Sequence, residues 1–322
     1  MTIEAIAAAD LPDFVSISTS SLAVQYLGAI VFSCSLISQL LVLFALLKKP
    51  HIIKSSTDVF IFFLTLNQIG VCVPMLSTSI FMFVRNGFAL GKTGCVIQGL
   101  SVVSFAFADL SLLIAITLER YMLIVRNTKL SPKHATIISI VILATGWLFA
   151  MIPIFGGFAY QYYSLIPGRT NCLNGWNLQF PAALFMSILS LVAIVSPFPV
   201  IAYGYFQIYN IIRINNLNMK ELDSSISKNS IKQNQERDKL EARVLLQMVT
   251  LTVFFAVSWV LEGVQIFYQI ATGLNFPVEY DLVAIFMGCV GVTSNAYIIL
   301  YFNLVVRKRV VELLRKLFIW RK

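Results

Sequence analysis

The residues with chemistry to offer are few, and they are unevenly placed. Glu119, Arg120 and Tyr121 stand together at the end of a long apolar run. Asp109 lies eleven residues before Arg120, about three helical turns, so the two share one face if the run is a helix. A second acid, Glu262, is embedded in another apolar stretch. An arginine near a membrane surface calls for an acidic partner, and an ionisable group within a membrane span is by default a functional candidate. Asp109 is therefore read as a functional carboxylate within the membrane. Enzyme chemistry finds no support. His51 and His134 are the only histidines, neither has clustered metal ligands, and no paired acids or nucleophile–base set is evident.

The elements that carry these groups follow from composition. Hydrophobic residues form 58% of the 322-residue chain and charged residues only 12%, far from the mix of soluble domains. A bilayer absorbs that much apolar surface, and its interior admits only helices or closed barrels. Continuous apolar runs rather than alternation select helices. Seven spans are expected, at 22–47, 59–84, 95–125, 135–160, 180–212, 244–270 and 282–302. Each reaches the roughly 20 residues that cross a 30 Å hydrocarbon core.

Charge sets the expected topology. Lys48, Lys49 and Lys54 follow span one, and Arg126, Lys129 and Lys133 follow span three. Residues 213–243 after span five and 303–322 after span seven are also basic, whereas the other side holds Arg85, Lys92, Arg169, Glu279 and Asp281. Residues 1–21 are then extracellular and the C-terminus cytoplasmic, in the plasma membrane. The net charge of +9 is a topology signal, and no solvated basic domain suggests nucleic acid. The opening stretch lacks the basic start of a cleaved signal, so span one is expected to serve as its own. Residues 213–243 read as a polar third intracellular loop, with helical extensions of its flanking spans. From Asn303, apolar positions at helical spacing alternate with basic ones, as in a helix lying on the inner leaflet.

Glu119-Arg120-Tyr121 at the cytoplasmic end of span three resembles the Asp/Glu-Arg-Tyr motif of rhodopsin-like G-protein-coupled receptors. Other landmarks of that family fall at matching intervals: Trp147 in span four, Pro197 and Tyr205 in span five, Phe255 with Trp259 in span six, and Asn295 in span seven. The resemblance covers roughly residues 22–319. It implies an all-α seven-helix receptor bundle with a short amphipathic eighth helix, a disulfide between Cys95 and Cys172, and coupling to a heterotrimeric G protein. It further implies that Arg120 pairs with Glu119 and with Glu241 at the foot of span six, with Tyr205 nearby. Phe255, Trp259, Pro197 and Asn295 would act as the activation switch, and Asp109, with Asn67, Ser111 or Asn295 nearby, would bind sodium or take up a proton on activation.

Aligned on the same landmarks, the ligand pocket takes Val102, Val103 and Ala106 from span three. Trp259, Glu262 and Ile266 come from span six, and Ile285 and Cys289 from span seven. This suits a small, mostly apolar ligand. Cys289 stands where opsins carry the retinal lysine, and Val102 where amine receptors carry an aspartate, so covalent retinal and biogenic amines are not expected. Several positions depart from the family. Gln39 replaces the usual Asn of span one, Leu261 the proline of span six, and Asn67 the aspartate of span two. Ala296 and Ile299 replace the proline and tyrosine of span seven. No Cys, Ser or Thr follows Asn295 in the last twenty-seven residues, so arrestin binding would rely on loop serines such as Ser224, Ser225, Ser227 and Ser230. Two other readings remain at this point: a seven-span channel or transporter, against which stands the lack of duplicated halves, and a receptor-like protein that no longer couples. A microbial-type light-driven pump would need the missing lysine.

Overall fold

The computed structural model describes residues 6–7, 15–16, 18–47, 55–85, 87–88, 90–165, 171–174, 181–222, 228–272, 274 and 277–319. They form a helical bundle. Helix α1 is Thr19–Leu47, α2 is Ser56–Arg85, α3 is Gly91–Ile124 and α4 is Pro132–Phe155. A four-residue helix, α5 (Ala159–Tyr162), precedes α6 (Pro181–Val195), α7 (Pro197–Leu222), α8 (Lys228–Thr272), α9 (Val278–Phe302) and α10 (Leu304–Ile319). Helices α6 and α7 make up the fifth span. Six spans among the described residues, up to Thr252–Thr272, are long and apolar enough to cross a membrane. The 25-residue α9 packs against both α1 and α8 and completes the seven. Large apolar side chains such as Ile30, Val84 and Phe155 face outward, 61%, 66% and 74% exposed, an arrangement fitted to hydrocarbon surroundings.

Local signals set the helix ends. Ser131 caps α4 by accepting from the His134 backbone N–H, and Pro132 takes the first helical position, where its missing N–H costs nothing. His134 is exposed and bonds the same serine, so it serves the cap; His51 lies outside the described residues. Two expectations need correction. Span four stops at Phe155 rather than running to residue 160, because Gly156 and Gly157 turn the chain, with Gly157 at φ 74°. Span five is broken at Ser196, because Pro197 offers no N–H and clashes with the preceding turn. The polar stretch after span five is largely helical: α7 runs to Leu222 and α8 begins at Lys228. Leu261, in place of a proline, leaves α8 unbroken over 45 residues.

Helix α3 is central, touching α2, α4 and α7. Gly146 of α4 lets the two backbones meet, since a Cβ there would lie 2.7 Å from Ser104 O. At one end of α3 the strands β4 (Tyr163–Leu165) and β5 (Cys172–Asn174) form an antiparallel sheet in the order β1-β4-β5, with β1 being Ile6–Ala7. Leu165 pairs with Cys172 and Ile6 with Leu165. A second ribbon pairs β2 (Val15–Ser16) with β3 (Gly87–Phe88). Tyr162, Tyr163 and Leu165 are fully buried under this cover, and the Tyr163 ring lies against Gly99. Burial pushes the Tyr162 hydroxyl up to about 12 despite its bond with Ser190, so the cover is uncharged there.

Candidate functional site

Three groups of residues lie along α3, between its disulfide end and its Arg120 end. At the first end Cys95 and Cys172 form a disulfide joining α3 to β5. Gln98 adds two bonds there: its Oε1 accepts from Cys172 N at 3.0 Å and its Nε2 donates to Asn171 Oδ1 at 2.9 Å. Below this cover lies a cavity of about 1000 Å³, counted with its open side. Val102, Val103 and Ala106 of α3 line it, with Trp259, Glu262 and Ile266 of α8 and Ile285 of α9. Gly288 also reaches it, while the side chain of its neighbour Cys289 lies outside the described residues. Phe32, Met75, Phe149 and Asn171 add walls that sequence reasoning missed, because they come from helices and a loop whose positions only packing fixes. The wall is mostly apolar. Among the described residues Glu262 makes no hydrogen bond or ion pair; it lies within electrostatic range of Asp281, which accepts from Gln265 Nε2 at 2.8 Å.

The middle group is a buried polar chain across three helices. Asn67 Nδ2 donates to Asp109 Oδ1 at 2.6 Å and also lies 2.7 Å from Phe105 O. Gln68 Nε2 reaches Asp109 Oδ2 at 3.5 Å, and Gln39 Nε2 donates to Gln68 Oε1 at 2.5 Å. Asp109 and Asn67 are each 1% exposed. Sequence reasoning took Gln39 only as a departure and missed Gln68; the signal was two amides in otherwise apolar spans. Ser111, expected beside Asp109, instead donates to Phe107 O in its own helix. Among the described residues Asn67 Oδ1, Gln39 Oε1 and both polar atoms of Asn295 are buried without a hydrogen-bond partner. Unmet buried polar atoms are costly, and Asn67 Oδ1 stands in the same side chain whose Nδ2 donates to Asp109. Carboxylate and amide oxygens are the donor types that hard cations take.

The third group closes the other end of α3. Glu119 is 6% exposed and receives Ser56 Oγ at 2.5 Å, while Thr57 Oγ1 lies 3.1 and 3.3 Å from its two oxygens. Arg120 Nε lies 3.4 Å from Glu119 Oε2, and this is the one ion pair among the described residues. Glu241, expected as a second partner, lies on α8, but its side chain is outside the described residues, as is that of Phe255. Tyr205 of α7 stands close to the side chains of Thr117 of α3 and Thr252 of α8 and within electrostatic range of Arg120, where the three helices meet. Tyr121 is partly buried, and Pro197 is buried at the break in span five. The Trp147 ring meets Phe105 edge-on at 5.3 Å between ring centres.

The comparisons agree with this geometry. The fold is that of squid rhodopsin, with a TM-score of 0.77 at 16% identity, covering 95% of this chain and 87% of that one. Parapinopsin of Ictalurus punctatus is 25% identical over 183 residues, 53% of this chain and 47% of its own length. Neuromedin-K receptor of Mus musculus is 22% identical over 230 residues, 71% and 48%. This chain spans about half the length of these two relatives. The family model described as 7 transmembrane receptor (rhodopsin family) matches residues 38–301. With more than half its length matched, and with the bundle, the disulfide and the Glu119-Arg120-Tyr121 corner in place, this chain belongs to the rhodopsin family of seven-transmembrane receptors.

Proposed function

We propose that this protein is a plasma-membrane receptor that converts binding of a small, mostly apolar ligand into activation of a heterotrimeric G protein. Its N-terminus and the disulfide end face outward, and the Arg120 end and C-terminus face the cytoplasm, as the flanking Lys and Arg residues indicate. The observation that carries the reading is the layout of α3, one rigid helix bearing cavity walls, the Asp109 chain and Arg120 in series. A ligand resting on Trp259 and Ile266 bears on α8, and Tyr205 links α8 to α3 beside Arg120 through Thr252 and Thr117. An outward movement of α8 would break that link and open a groove in which Arg120 meets the G protein. The ligand is held reversibly: Cys289 and the absence of Lys from 278–302 leave no amine for a Schiff base. Asp109, Asn67 and Asn295 would hold a sodium ion or, on activation, a proton; an ion there would brace α2, α3 and α9 in the resting state.

Loop serines such as Ser225 and Ser230 would serve arrestin once phosphorylated, and the basic face of α10 would rest on anionic lipid. The deciding measurement is nucleotide exchange on purified heterotrimers by receptor in nanodiscs, wild type against Arg120→Ala. Exchange by the wild type that the variant loses supports coupling. Equal, background exchange by both would leave a receptor-like protein that does not couple.

A further inference from the structure

Two smaller hollows run in series from the central cavity towards the outside of the bundle. The inner one, about 250 Å³, shares Phe32, Met75, Asn171 and Ile285 with the central cavity. The outer one, about 580 Å³ with its open side, lies between α1 and α2 and shares Gln25 and Ser79 with the inner one. Its walls are apolar, and Tyr26, Ile30, Ile80 and Phe83 are 42%, 61%, 52% and 53% exposed on two apolar spans. Side chains of that kind on spanning helices face lipid. A polar contact stands across the path: Ser79 Oγ donates to Gln25 Oε1 at 2.8 Å, with both residues buried. The same hydroxyl lies 3.0 Å from Met75 O in its own helix. If the cross-helix bond opens, the proton has another acceptor at hand, so opening strands no donor. The alternative way in, past β5, is fastened to α3 by the Cys95–Cys172 bond and by both ends of the Gln98 amide.

We infer that the crevice between α1 and α2 is a side entrance through which an uncharged, slender apolar ligand dissolved in the bilayer reaches the central cavity. Gln25 and Ser79 form the gate, and the chamber beside Gly28 is the neck. This rests on the reading of the central cavity as the ligand site. The apolar outer walls select the ligand's character, because a charged group would have to shed water to pass them. The small inner hollow selects its width. The shared wall residues set the three hollows in series, closed in this structure by the Gln25–Ser79 contact, and the lipid-facing mouth makes the bilayer the ligand's source.

Gly28 lines the neck, and a Cβ added there would meet nothing closer than Phe32 Cε2 at 4.0 Å, so a side chain can leave the backbone there without a clash. The test uses the full chain in phosphatidylcholine nanodiscs with Trp147, Trp176 and Trp320 changed to Phe, leaving Trp259 as the reporter in the cavity wall. The probe is 1-bromohexane, a contact quencher that partitions into lipid. Stopped-flow quenching should rise in rate with probe per lipid. Gly28→Leu should slow it by tenfold or more while leaving its final depth. Ala29→Phe, which fills the outer crevice, should do the same, and rates are compared only between variants with matching circular dichroism and Trp259 emission. Ala106→Phe, which fills the cavity itself, should remove the quenching. Unchanged rates in both Gly28→Leu and Ala29→Phe overturn the side entrance and leave the cavity reading standing. Absence of quenching in the parent, or full quenching in Ala106→Phe, overturns the cavity reading itself.

Discussion

Ser56 Oγ of α2 donates to Glu119 Oε1 of α3 at 2.5 Å, with Thr57 Oγ1 placed against both oxygens of the same carboxylate. Glu119 therefore answers to two neighbours at once: hydroxyls on α2 and the Arg120 guanidinium at 3.4 Å. The hydroxyls hold the carboxylate in place.

Glu119→Gln should then remove the one described ionic partner of Arg120 while keeping a side chain that Ser56 can still bond. Ligand-independent nucleotide exchange should rise several-fold. Ser56→Ala with Thr57→Ala should act differently, leaving the charge but stripping donors from a buried carboxylate, at a cost of about 1–3 kcal/mol for the lost satisfaction. Its mark is a lower melting temperature in detergent. Equal basal exchange in wild type and Glu119→Gln would show that Arg120 is not restrained by its neighbour.

Asp109 makes a separate prediction. If the Asp109–Asn67–Asn295 group holds sodium, added sodium should weaken signalling by the wild type, and Asp109→Asn should be indifferent to it because the charge is gone. The comparison is a titration of exchange against sodium at constant ionic strength with choline as replacement. A wild type that ignores sodium would leave the proton alternative, which predicts a pH-dependent response that Asp109→Asn lacks. Indifference to both would reduce Asp109 to a hydrogen-bonded structural acid.

Much of this architecture was legible in the primary structure, and the failures have physical causes. Span number followed from run length, because hydrocarbon demands it. Register along one helix is rigid, so spacing from Arg120 put Val102 and Ala106, and the Phe255–Trp259 match put Trp259, among residues that line the cavity. Phe32, Asn171 and the Gln39–Gln68 link were not reached that way, since they depend on which faces of α1, α2 and a loop meet α3, and that is decided by packing. Span ends went astray where local breakers, Gly156-Gly157 and Pro197, outweighed an apolar run that continued past them.

Close approach of α3 and α4 gives a graded test of packing. A Cβ at Gly146 would lie 2.7 Å from Ser104 O, a backbone atom that cannot swing aside, whereas at Gly99 the obstacle is the Tyr163 ring at 2.4 Å. At Gly28 there is room. Gly146→Ala should therefore destabilise by about 1–3 kcal/mol through overpacking, and combining it with Ala108→Gly should not rescue it, because the clash is with backbone. Gly99→Ala should be rescued in part by Tyr163→Leu. Gly28→Ala should be neutral or stabilising, by up to about 1 kcal/mol from helix propensity. Thermal unfolding of the set in one detergent reads the order, and a Gly146→Ala no less stable than Gly28→Ala would contradict the close α3–α4 contact.

Helix α8 runs for 45 residues without a proline, roughly 68 Å at about 1.5 Å per residue. An unbroken rod has no preset bending point, so any outward motion at its Arg120 end must tilt the cavity end as well. Leu261→Pro would delete the bond from residue 261 to Val257 O and press the ring against that carbonyl, creating a weak point in the same turn as Trp259 and next to Glu262. The change should cost about 3 kcal/mol of helix stability, visible as a lower melting temperature. It should also raise ligand-independent exchange, because the Arg120 end of α8 can then swing while the cavity walls stay put. A variant that melts earlier yet shows wild-type basal exchange would mean that the rod's stiffness is not what holds the receptor at rest.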